Sequence, residues 1–313
     1  MSAVTANRTI LEKADLALSD LLSGGELVAA QAQKFIRLLI QESVVLGMAN
    51  VRPMKSKSVE IDKIRFGNRV LRAGAEATAL ASGDRVKPDL SKTELSAKLF
   101  KAQVDLNDEV LEDNIEQGSL RQTVMELLGE AISRDMDEIL VQGDTGSGDT
   151  FLASFDGMLA AATSNVVDGG TNAIGIDDLK AAIKAMPDEF VRNKRRLRFL
   201  TSIDAETDLR DAYLNRATVA GDRFLQEDAP ILYSGVPVMD VPLFPENLGV
   251  GTNETNVLLL DPKNILVGIW RKLLVETDKD IESGVLKIVA SLRFDFAYME
   301  ETAAVKVEHV TVS

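Results

Sequence analysis

The sequence predicts a mixed α+β fold from three kinds of segment. Strand-like arms at 59–71 and 93–106 flank a stretch of small and polar residues, 72–92. Apolar residues at helical spacing predict one long amphipathic helix over 120–142, and strict alternation over 285–296 predicts a half-buried antiparallel strand. Further along the chain, strands that alternate with short helices indicate a subdomain of the α/β or α+β type.

The two arms predict a hairpin that is too long for its own domain. At ~3.3 Å per residue, arms of about fourteen residues reach ~45 Å. A domain of 313 residues has a radius of gyration of only ~20 Å. The tip, 72–92, offers almost nothing apolar to bury. We therefore expect the hairpin to lie on a neighbouring molecule, which indicates assembly rather than catalysis.

Composition narrows the possible functions. The chain has 35 Lys and Arg against 49 Asp and Glu, a net charge of −14. This argues against a dedicated nucleic-acid binder, whose affinity comes mainly from cationic contacts with phosphate. An acidic protein surface can still enclose packed DNA, because it repels the DNA instead of binding it. The absence of cysteine excludes disulfides and thiol chemistry. No apolar run reaches the ~18 residues of a membrane span, and the N-terminus lacks the order of a secretory signal.

The long helix over 120–142 is predicted in detail. Ser119 is its expected N-cap and Gly143 its expected stop. Its buried stripe is predicted to hold Leu120, Val124, Leu127, Leu128, Ala131, Ile132, Ile139 and Leu140. Its exposed side is predicted to hold Glu126, Glu130, Arg134, Asp137 and Glu138.

The flanking segments complete the predicted order of elements. Helical spacing predicts a helix over 27–48. A glycine-rich turn, 143–148, follows the long helix, and strands then alternate with short helices over 197–270. We expect 304–310 to be the strand partner of 285–296.

No motif predicts catalysis, a cofactor or a bound metal. The turn 143–148 lacks the Lys-Ser/Thr pair of a phosphate loop and follows a helix rather than a strand. Asp144 and Asp149 could bind calcium, but their spacing does not match that of an EF-hand loop. A turn without a bound ion is therefore favoured. His309 is the only histidine, which excludes a zinc site built on histidines and a histidine triad. We expect His309 to be structural.

The basic run RNKRRLR, 192–198, has two interpretations. One is contact with nucleic acid. The other is a solvated connection between a helix and a strand, whose charges pair with acids on a neighbouring subunit. The acidic balance of the whole chain favours the second interpretation.

The order of these segments resembles that of the major capsid proteins of tailed double-stranded DNA bacteriophages, which have the Hong Kong 97-type fold. The family's N-terminal arm is resembled by GGELVAAQAQKFIRLLIQESVVLGMANVRPM, and the two halves of its extended loop by KSKSVEIDKIRFGNRVLRAG and TELSAKLFKAQVDLNDEVLEDN. Its spine helix is resembled by LRQTVMELLGEAISRDMDEIL, and the turn after it by QGDTGSGDTFLASFDGML. Its axial domain is resembled by LRFLTSIDAETDLRDAYLNR and ILYSGVPVMDVPLFPEN, and its return strands by ETDKDIESGVLKIVASLRFDFAYMEETAAVKVEHV.

The resemblance covers nearly the whole chain and implies five regions. They are an N-terminal arm (1–58), an extended β-hairpin loop (59–105), a peripheral domain with the spine helix (106–170), an axial α/β domain (171–270) and return strands of the peripheral domain (271–313). Fewer than sixty residues precede Val59, too few for the scaffold-like domain fused to some members. Scaffolding is therefore expected to be a separate protein.

The implied function is structural. The resemblance implies self-assembly as hexamers and pentamers into an icosahedral head around double-stranded DNA, without sequence-specific binding, membrane attachment, cofactor or enzymatic activity. It implies assembly in the bacterial host cytoplasm with a scaffolding protein, a portal and possible decoration proteins, and a final place in the virion. An encapsulin-type compartment is the alternative with the same fold. An enzyme acting through carboxylates is a third hypothesis, and no predicted pocket supports it.

Candidate assembly contacts follow from the resemblance. On the loop they are Arg65, Arg69, Arg72, Asp84, Arg85, Lys87 and Lys92. On the arm, the spine helix and the axial domain they are Phe35, Arg37, Glu126, Glu130, Arg134, Arg195 and Arg196. Some members join a loop lysine to an asparagine of an adjacent subunit, for which Lys63, Lys87 and Lys92 are the candidates. A shell without crosslinks is favoured.

Overall fold

The computed structural model describes residues 43–66, 69–74, 79–107, 120–214, 230–249, 252–270, 274–280 and 284–312. Within these ranges the predicted α+β class is confirmed. The chain builds a five-stranded sheet, a six-stranded sheet and a separate two-stranded hairpin. The predicted helix over 27–48 falls within them only at its end, where α1 covers Val44–Met48.

The first sheet is organised around one long strand, β12. Strand β4 pairs with residues 285–294 along one edge of β12, and β11 and β10 pair along the other. Strand β1 runs parallel to β10 at the edge of the sheet, where Pro53 costs no ladder hydrogen bond. The strands are β1 (Asn50–Met54), β4 (Lys98–Asn107), β10 (Ile265–Trp270), β11 (Leu274–Asp280) and β12 (Val285–Tyr298).

The second sheet has the order β5-β13-β9-β6-β8-β7, with β6 parallel to β8 and β5 parallel to β13. Its strands are β5 (Val166–Ala173), β6 (Arg198–Thr201), β7 (Leu232–Tyr233), β8 (Val236–Asp240), β9 (Glu254–Leu260) and β13 (Ala304–Thr311). The shorter helices are α3 (Met158–Ala161), α4 (Ile176–Ala185), α5 (Asp188–Val191) and α6 (Ile203–Leu214). Within the described part of 197–270, β6 is followed by α6 as predicted, and the strands β7, β8, β9 and β10 come after them.

The predicted pairing of 304–310 with 285–296 is wrong. Strand β13 lies in the second sheet, between β5 and β9. Two physical reasons account for this placement. Strand β12 already has partners along both edges, and β13 buries Ala304, Val305, Val307 and Val310, as a central strand with two covered faces does.

The long helix α2 covers Leu120–Gln142, the range that the sequence predicts. Leu128, Ile139 and Leu140 are buried as predicted, and they pack on the inner face of the first sheet. Two predictions about its faces are wrong: Leu127 is 57% exposed, and Asp137 is buried. Ser119 and the side chains of 120–126 lie outside the description.

The end of α2 is fixed by a close approach of two glycines. Gly143 follows the last helical residue, as predicted, and its N–H donates to Ile139 O at 2.9 Å. The N–H of Gly157 donates to Gly143 O at 2.8 Å. A Cβ on Gly143 would lie 2.5 Å from Ile139 O and 2.6 Å from Phe155 O, so only glycine fits between these backbones.

The hairpin is shorter than the sequence predicts. Strands β2 (Ser58–Arg65) and β3 (Asp89–Ser96) pair antiparallel from Ser58↔Ser96 to Arg65↔Asp89. The predicted descending arm, 93–106, is divided at Ala97: β3 belongs to the hairpin and β4 to the first sheet. Eight residues at ~3.3 Å give a paired arm of ~26 Å rather than ~45 Å.

Candidate assembly surfaces

The base of the hairpin is anchored on its own first sheet. Leu95 and Ala97 are buried against Met54 and Leu266, on the face opposite α2. The Ser96 N–H donates to Asp295 Oδ2 at 2.5 Å. The base of the hairpin is therefore held in place on the first sheet.

Two basic side chains then hold β2 against the same chain. Lys63 Nζ donates to Met299 O at 2.6 Å and lies 3.6 Å from Glu300 Oε2. Arg65 Nη1 lies 3.7 Å from Glu300 Oε1 and 3.6 Å from Glu189 Oε1. Arg65, predicted to contact a neighbouring subunit, thus forms ion pairs within its own subunit. These contacts set the direction in which the loop leaves the sheet.

The remaining charged residues predicted on the loop fall into two groups. Arg72 and Asp84 pair with each other across the loop at 3.6 Å, and Lys92 pairs with Glu60. The hydrogen bond from Lys92 to Glu60 raises the pKa of this lysine. Arg69, Arg85 and Lys87 are exposed and form no ion pair with the described part of the chain. These three cations are free to meet a neighbour.

Six exposed apolar side chains on the hairpin and loop form a surface called the loop patch. Leu71 is 84% exposed, Leu90 75% and Ile64 69%. The loop patch consists of Ile64, Phe66, Val70, Leu71, Leu80 and Leu90. The sequence prediction emphasised the polar character of the tip and missed this patch, although its apolar residues are visible in the sequence.

A groove of about 180 Å³ lies between α2 and the inner face of the first sheet, and is called the spine groove. Its walls include Phe100, Ile132, Met136, Phe151 and Phe294. Phe100 and Phe294 stack at 4.6 Å between ring centroids, and Phe151 meets Phe100 edge-on at 5.7 Å. This aromatic packing makes the walls rigid, and their surface is mostly apolar.

Two charged residues belong to the lining of the spine groove. Lys101 and Asp135 are among its lining residues. Glu130 and Arg134, predicted as contacts, are both exposed on α2, and Arg134 lies 3.8 Å from Asp135. The side chain of Glu126, and all of Phe35 and Arg37, lie outside the described residues, so these three contacts stay predictions.

Asp137 is the functional residue that the sequence analysis placed wrongly. Its carboxylate accepts hydrogen bonds from the Ser43 hydroxyl, from Val44 N at 3.0 Å and from Val45 N at 3.3 Å. Ser43 Oγ in turn accepts from Leu46 N at 2.9 Å. Two side chains thus cap α1, where the N-terminal segment joins the spine helix. Burial raises the pKa of Asp137, because removal from water disfavours the charged carboxylate.

Replacing Asp137 is expected to weaken this junction and to change its pH dependence. Asp137→Ala leaves two backbone N–H groups without an acceptor and should cost about 2–3 kcal/mol. A carboxyl whose folded-state pKa is raised binds protons more tightly when folded. The stability of the unchanged protein should therefore fall, relative to Asp137→Asn, as pH rises from about 3.8 through the raised value. Urea unfolding of the unchanged protein, Asp137→Ala and Asp137→Asn across this pH range measures the difference in their free energies of unfolding. A difference that is flat with pH would contradict the prediction.

The residues considered for metal binding hold their own turn together. Asp144 Oδ1 accepts from Gly146 N at 2.7 Å, and Asp149 Oδ1 accepts from Phe151 N at 2.8 Å. The described residues contain no group of three or more His, Cys, Asp or Glu side chains placed to hold a metal ion. His309 lies at a bulge of β13 with φ +59°, and its Nδ1 is 3.2 Å from Asp168 Oδ1.

The basic run forms a turn between α5 and β6. Arg192, Lys194, Arg195 and Arg196 are exposed, and within the described ranges none of them forms an ion pair. Arg198 instead donates to the backbone oxygens of Arg195 and Leu197, both at 2.8 Å. The predicted connection between a helix and a strand is confirmed.

Comparison with known proteins agrees with these features. The model of the phage capsid family matches residues 24–309. The chain is 35% identical over 308 residues to the putative prophage capsid protein YqbE of Bacillus subtilis (strain 168), with coverage of 97% of this chain and 99% of the relative. Among solved structures, the procapsid of satellite phage P4, which includes the size determination (Sid) protein, matches with a TM-score of 0.68 at 13% identity, covering 100% of this chain and 99% of that chain. The holo-SrpI encapsulin complex of Synechococcus elongatus PCC 7942 matches with a TM-score of 0.57 at 14% identity, covering 84% and 86%.

The fold is of the Hong Kong 97 type, as expected from the resemblance. The chain belongs to the phage capsid family. Its role is structural, that of a major capsid protein in a self-assembling shell, and its place is the virion. No helix among the described residues is long and apolar enough to cross a membrane.

Proposed function

We propose that this chain assembles as hexamers and pentamers into the icosahedral head of a tailed phage and encloses double-stranded DNA without sequence-specific contacts. The loop patch is the observation that supports the proposal most directly. Six large apolar side chains lie on a segment that its own sheets leave uncovered. An apolar surface of this kind marks a protein interaction site. Contact between neighbouring subunits of a shell removes it from water.

The spine groove of a neighbouring subunit is the proposed receiver of the loop patch. Its walls are apolar and aromatic, as the loop patch requires. The unpaired cations Arg69, Arg85 and Lys87 lie on the loop, whereas the exposed Asp135 lines the groove. Apolar burial thus supplies the attraction, and opposite charges at the rim set the register.

The five regions keep their proposed roles in this assembly. In this assembly, residues 59–96 of the loop cross to a neighbour, whereas 98–105 of the same region stay in the first sheet as β4. The part of the arm, 1–58, that precedes α1 clasps another subunit, while β1 stays paired with β10. The axial domain, 171–270, converges at the centre of each capsomer. The remaining regions, 106–170 and 271–313, form the peripheral domain around α2. Strand β13 lies beside β9 of the second sheet, so the last region also ties the peripheral and axial parts together.

The proposed partners are those of a head assembled in the bacterial host cytoplasm: a separate scaffolding protein, a portal and decoration proteins. The chain has no enzymatic role in this proposal. It also forms no covalent crosslink. Lys63 and Lys92 are held by Glu300 and Glu60 of their own chain, which leaves Lys87 as the loop lysine without an ion pair in the described structure.

An encapsulin-type compartment remains the alternative on the basis of fold alone, since an encapsulin is among the structural matches. The family model and the 35% identical prophage relative favour a phage head. The contents of purified particles separate the two functions. DNA supports a head, and a protein cargo without DNA supports a compartment.

A cysteine pair tests the proposed contact between loop and groove. The chain contains no cysteine, so Leu71→Cys and Ile132→Cys introduce the only two thiols. In assembled particles, a short bismaleimide should link one subunit to the next and give a ladder of covalent oligomers on a denaturing gel. The matched control is Leu71→Cys with Val166→Cys, which places the second thiol on an exposed position of the second sheet. Assembled particles without a ladder, or with equal ladders in both pairs, would contradict the proposed receiver.

A further inference from the structure

Many charged residues of the second sheet lie at its two opposite ends, which the directions of the strands define. Strand β6 runs from Arg198 to Thr201, and β8 runs parallel to it and ends at Asp240. Strand β9 runs in the opposite direction, from Glu254 to Leu260, with Leu260 beside Arg198. One end of the sheet is therefore marked by the start of β6. The other is marked by the start of β9.

The end of the sheet at the start of β9 is called the acidic end, because carboxylates from several elements lie there. Asp204 follows β6 in the first turn of α6, and Glu246 Oε1 accepts from its N–H at 3.2 Å. Asp240 is exposed at the end of β8. Asp177, in the first turn of α4 after β5, pairs only with Lys180 at 3.7 Å within the described residues. Glu254 is buried at the same end, and its Oε2 has no hydrogen-bond donor among the described residues.

The opposite end, at the start of β6, is called the basic end, and it carries the turn formed by residues 192–196. Its four exposed cations, Arg192, Lys194, Arg195 and Arg196, pair with no described carboxylate. Carboxylates are also present at this end, and one of them, Glu189, forms an ion pair elsewhere. Glu189 contacts Arg65 of the hairpin, and Asp261 Oδ1 accepts from Lys263 N at 3.0 Å. Asp188 is the remaining exposed acid beside the turn. The turn itself is left with an uncompensated positive charge.

The two ends are too far apart to neutralise each other within one subunit. Strand β9 spans the distance from the acidic to the basic end with seven residues, or ~20 Å at ~3.3 Å per residue. The Debye length at physiological salt is only ~8 Å. Each end therefore presents its charge to an outside partner.

We propose that the basic turn (192–196) of one subunit docks head to tail on the acidic end of the second sheet in the next copy of this chain. This inference rests on the proposed function and assigns one contact within its capsomers. A contact between two different surfaces of the same chain repeats from copy to copy and closes into a ring when its rotation allows. Complementary charges also select the head-to-tail arrangement, because two basic turns or two acidic ends repel each other.

Nucleic acid is the competing partner for the basic turn. The acidic end of the same subdomain and the net charge of −14 both repel a polyanion. A second copy, in contrast, offers the opposite charge on a surface of the same subdomain. The structure therefore favours the second copy, and nucleic acid becomes an outcome of the test.

Charge reversal at each end, alone and combined, tests the contact. The basic-end variant is Arg195→Glu with Arg196→Glu, and the acidic-end variant is Asp204→Lys with Asp240→Lys. Each should raise the protein concentration needed for half-maximal assembly about tenfold or more, and the combined variant should recover most of the loss. Sedimentation velocity and electron microscopy measure assembly, and circular dichroism melting identifies folded variants. Asp204→Asn with Asp240→Asn is the acidic-end variant to use if the lysines prevent folding, and it should weaken assembly in the same direction.

The matched control is Lys55→Glu with Lys57→Glu, which makes the same charge change on exposed residues of the β1–β2 turn. The control should assemble as the unchanged protein does. Three results would overturn the inference: reversals that assemble normally, folded single-end variants that the combined variant does not rescue, or a basic-end variant that loses only nucleic acid. In all three the unchanged protein still forms shells. Absence of shells from the unchanged protein under every condition would instead reject the proposed function.

Discussion

Replacing Leu71 and Leu90 with serine is expected to give a folded subunit that no longer forms shells. These are the two most exposed side chains of the loop patch, at 84% and 75%. Burying each leucine against a neighbour contributes about 1.5–3 kcal/mol, so two substitutions remove about 3–6 kcal/mol from every loop contact. Because both side chains are already exposed in the subunit, the thermal midpoint should change little. Sedimentation velocity measures the loss of assembly.

The matched control for the loop substitution is Val166→Ser with Leu232→Ser. Both side chains are exposed apolar residues outside the loop, at 45% and 56%. This pair should assemble as the unchanged protein does. Normal shells from the Leu71 and Leu90 variant would show that the loop patch does not hold subunits together.

Replacing Gly143 or Gly157 with alanine is expected to prevent stable folding. The new Cβ on Gly157 would lie 2.7 Å from both Ile139 O and Leu140 O, and the clash on Gly143 is of similar size. All these atoms belong to the backbone, so no side-chain rotation relieves the contact. The end of the spine helix would have to move away from the 155–157 segment. We expect a loss of about 4 kcal/mol or more, in the range reserved for severe core defects.

Gly148→Ala is the matched control in the same turn. A Cβ there has no neighbour within 4 Å, and Gly148 does not have a positive φ. This variant should be neutral or slightly stabilising, because alanine restricts the unfolded chain. The readouts are soluble yield and the midpoint of urea unfolding. Equal stability of Gly143→Ala and Gly148→Ala would mean that the glycine contact does not fix the end of the helix.

Local patterns were enough to predict the elements with strong periodicity. The apolar spacing of α2 predicted its bounds, and alternation in β12 predicted the buried face that carries Ile288, Leu292 and Phe294. Pairing partners were harder to predict, because they depend on contacts far apart in the sequence. Strand β13 joins β5 and β9 because β12 is already paired on both edges, and no local pattern contains that information.

The predicted assembly contacts stay predictions, and the structure gives intramolecular partners for some of them. The extended loop is present, but Arg65, Arg72 and Lys92 form ion pairs within their own chain. Charge alone could not show whether a residue meets its own subunit or the next. Asp137 was predicted on the exposed face of α2, because acidic side chains usually face water. Its actual position depends on the N–H groups of α1, which lie more than ninety residues away in the chain.

The most direct test of the central claim is electron microscopy of the full-length protein, expressed alone and together with the other head proteins of its phage or prophage. The account predicts closed icosahedral shells in at least the second condition, with DNA inside particles isolated from infected or induced cells. A monodisperse 34.0 kDa monomer in both conditions would contradict it.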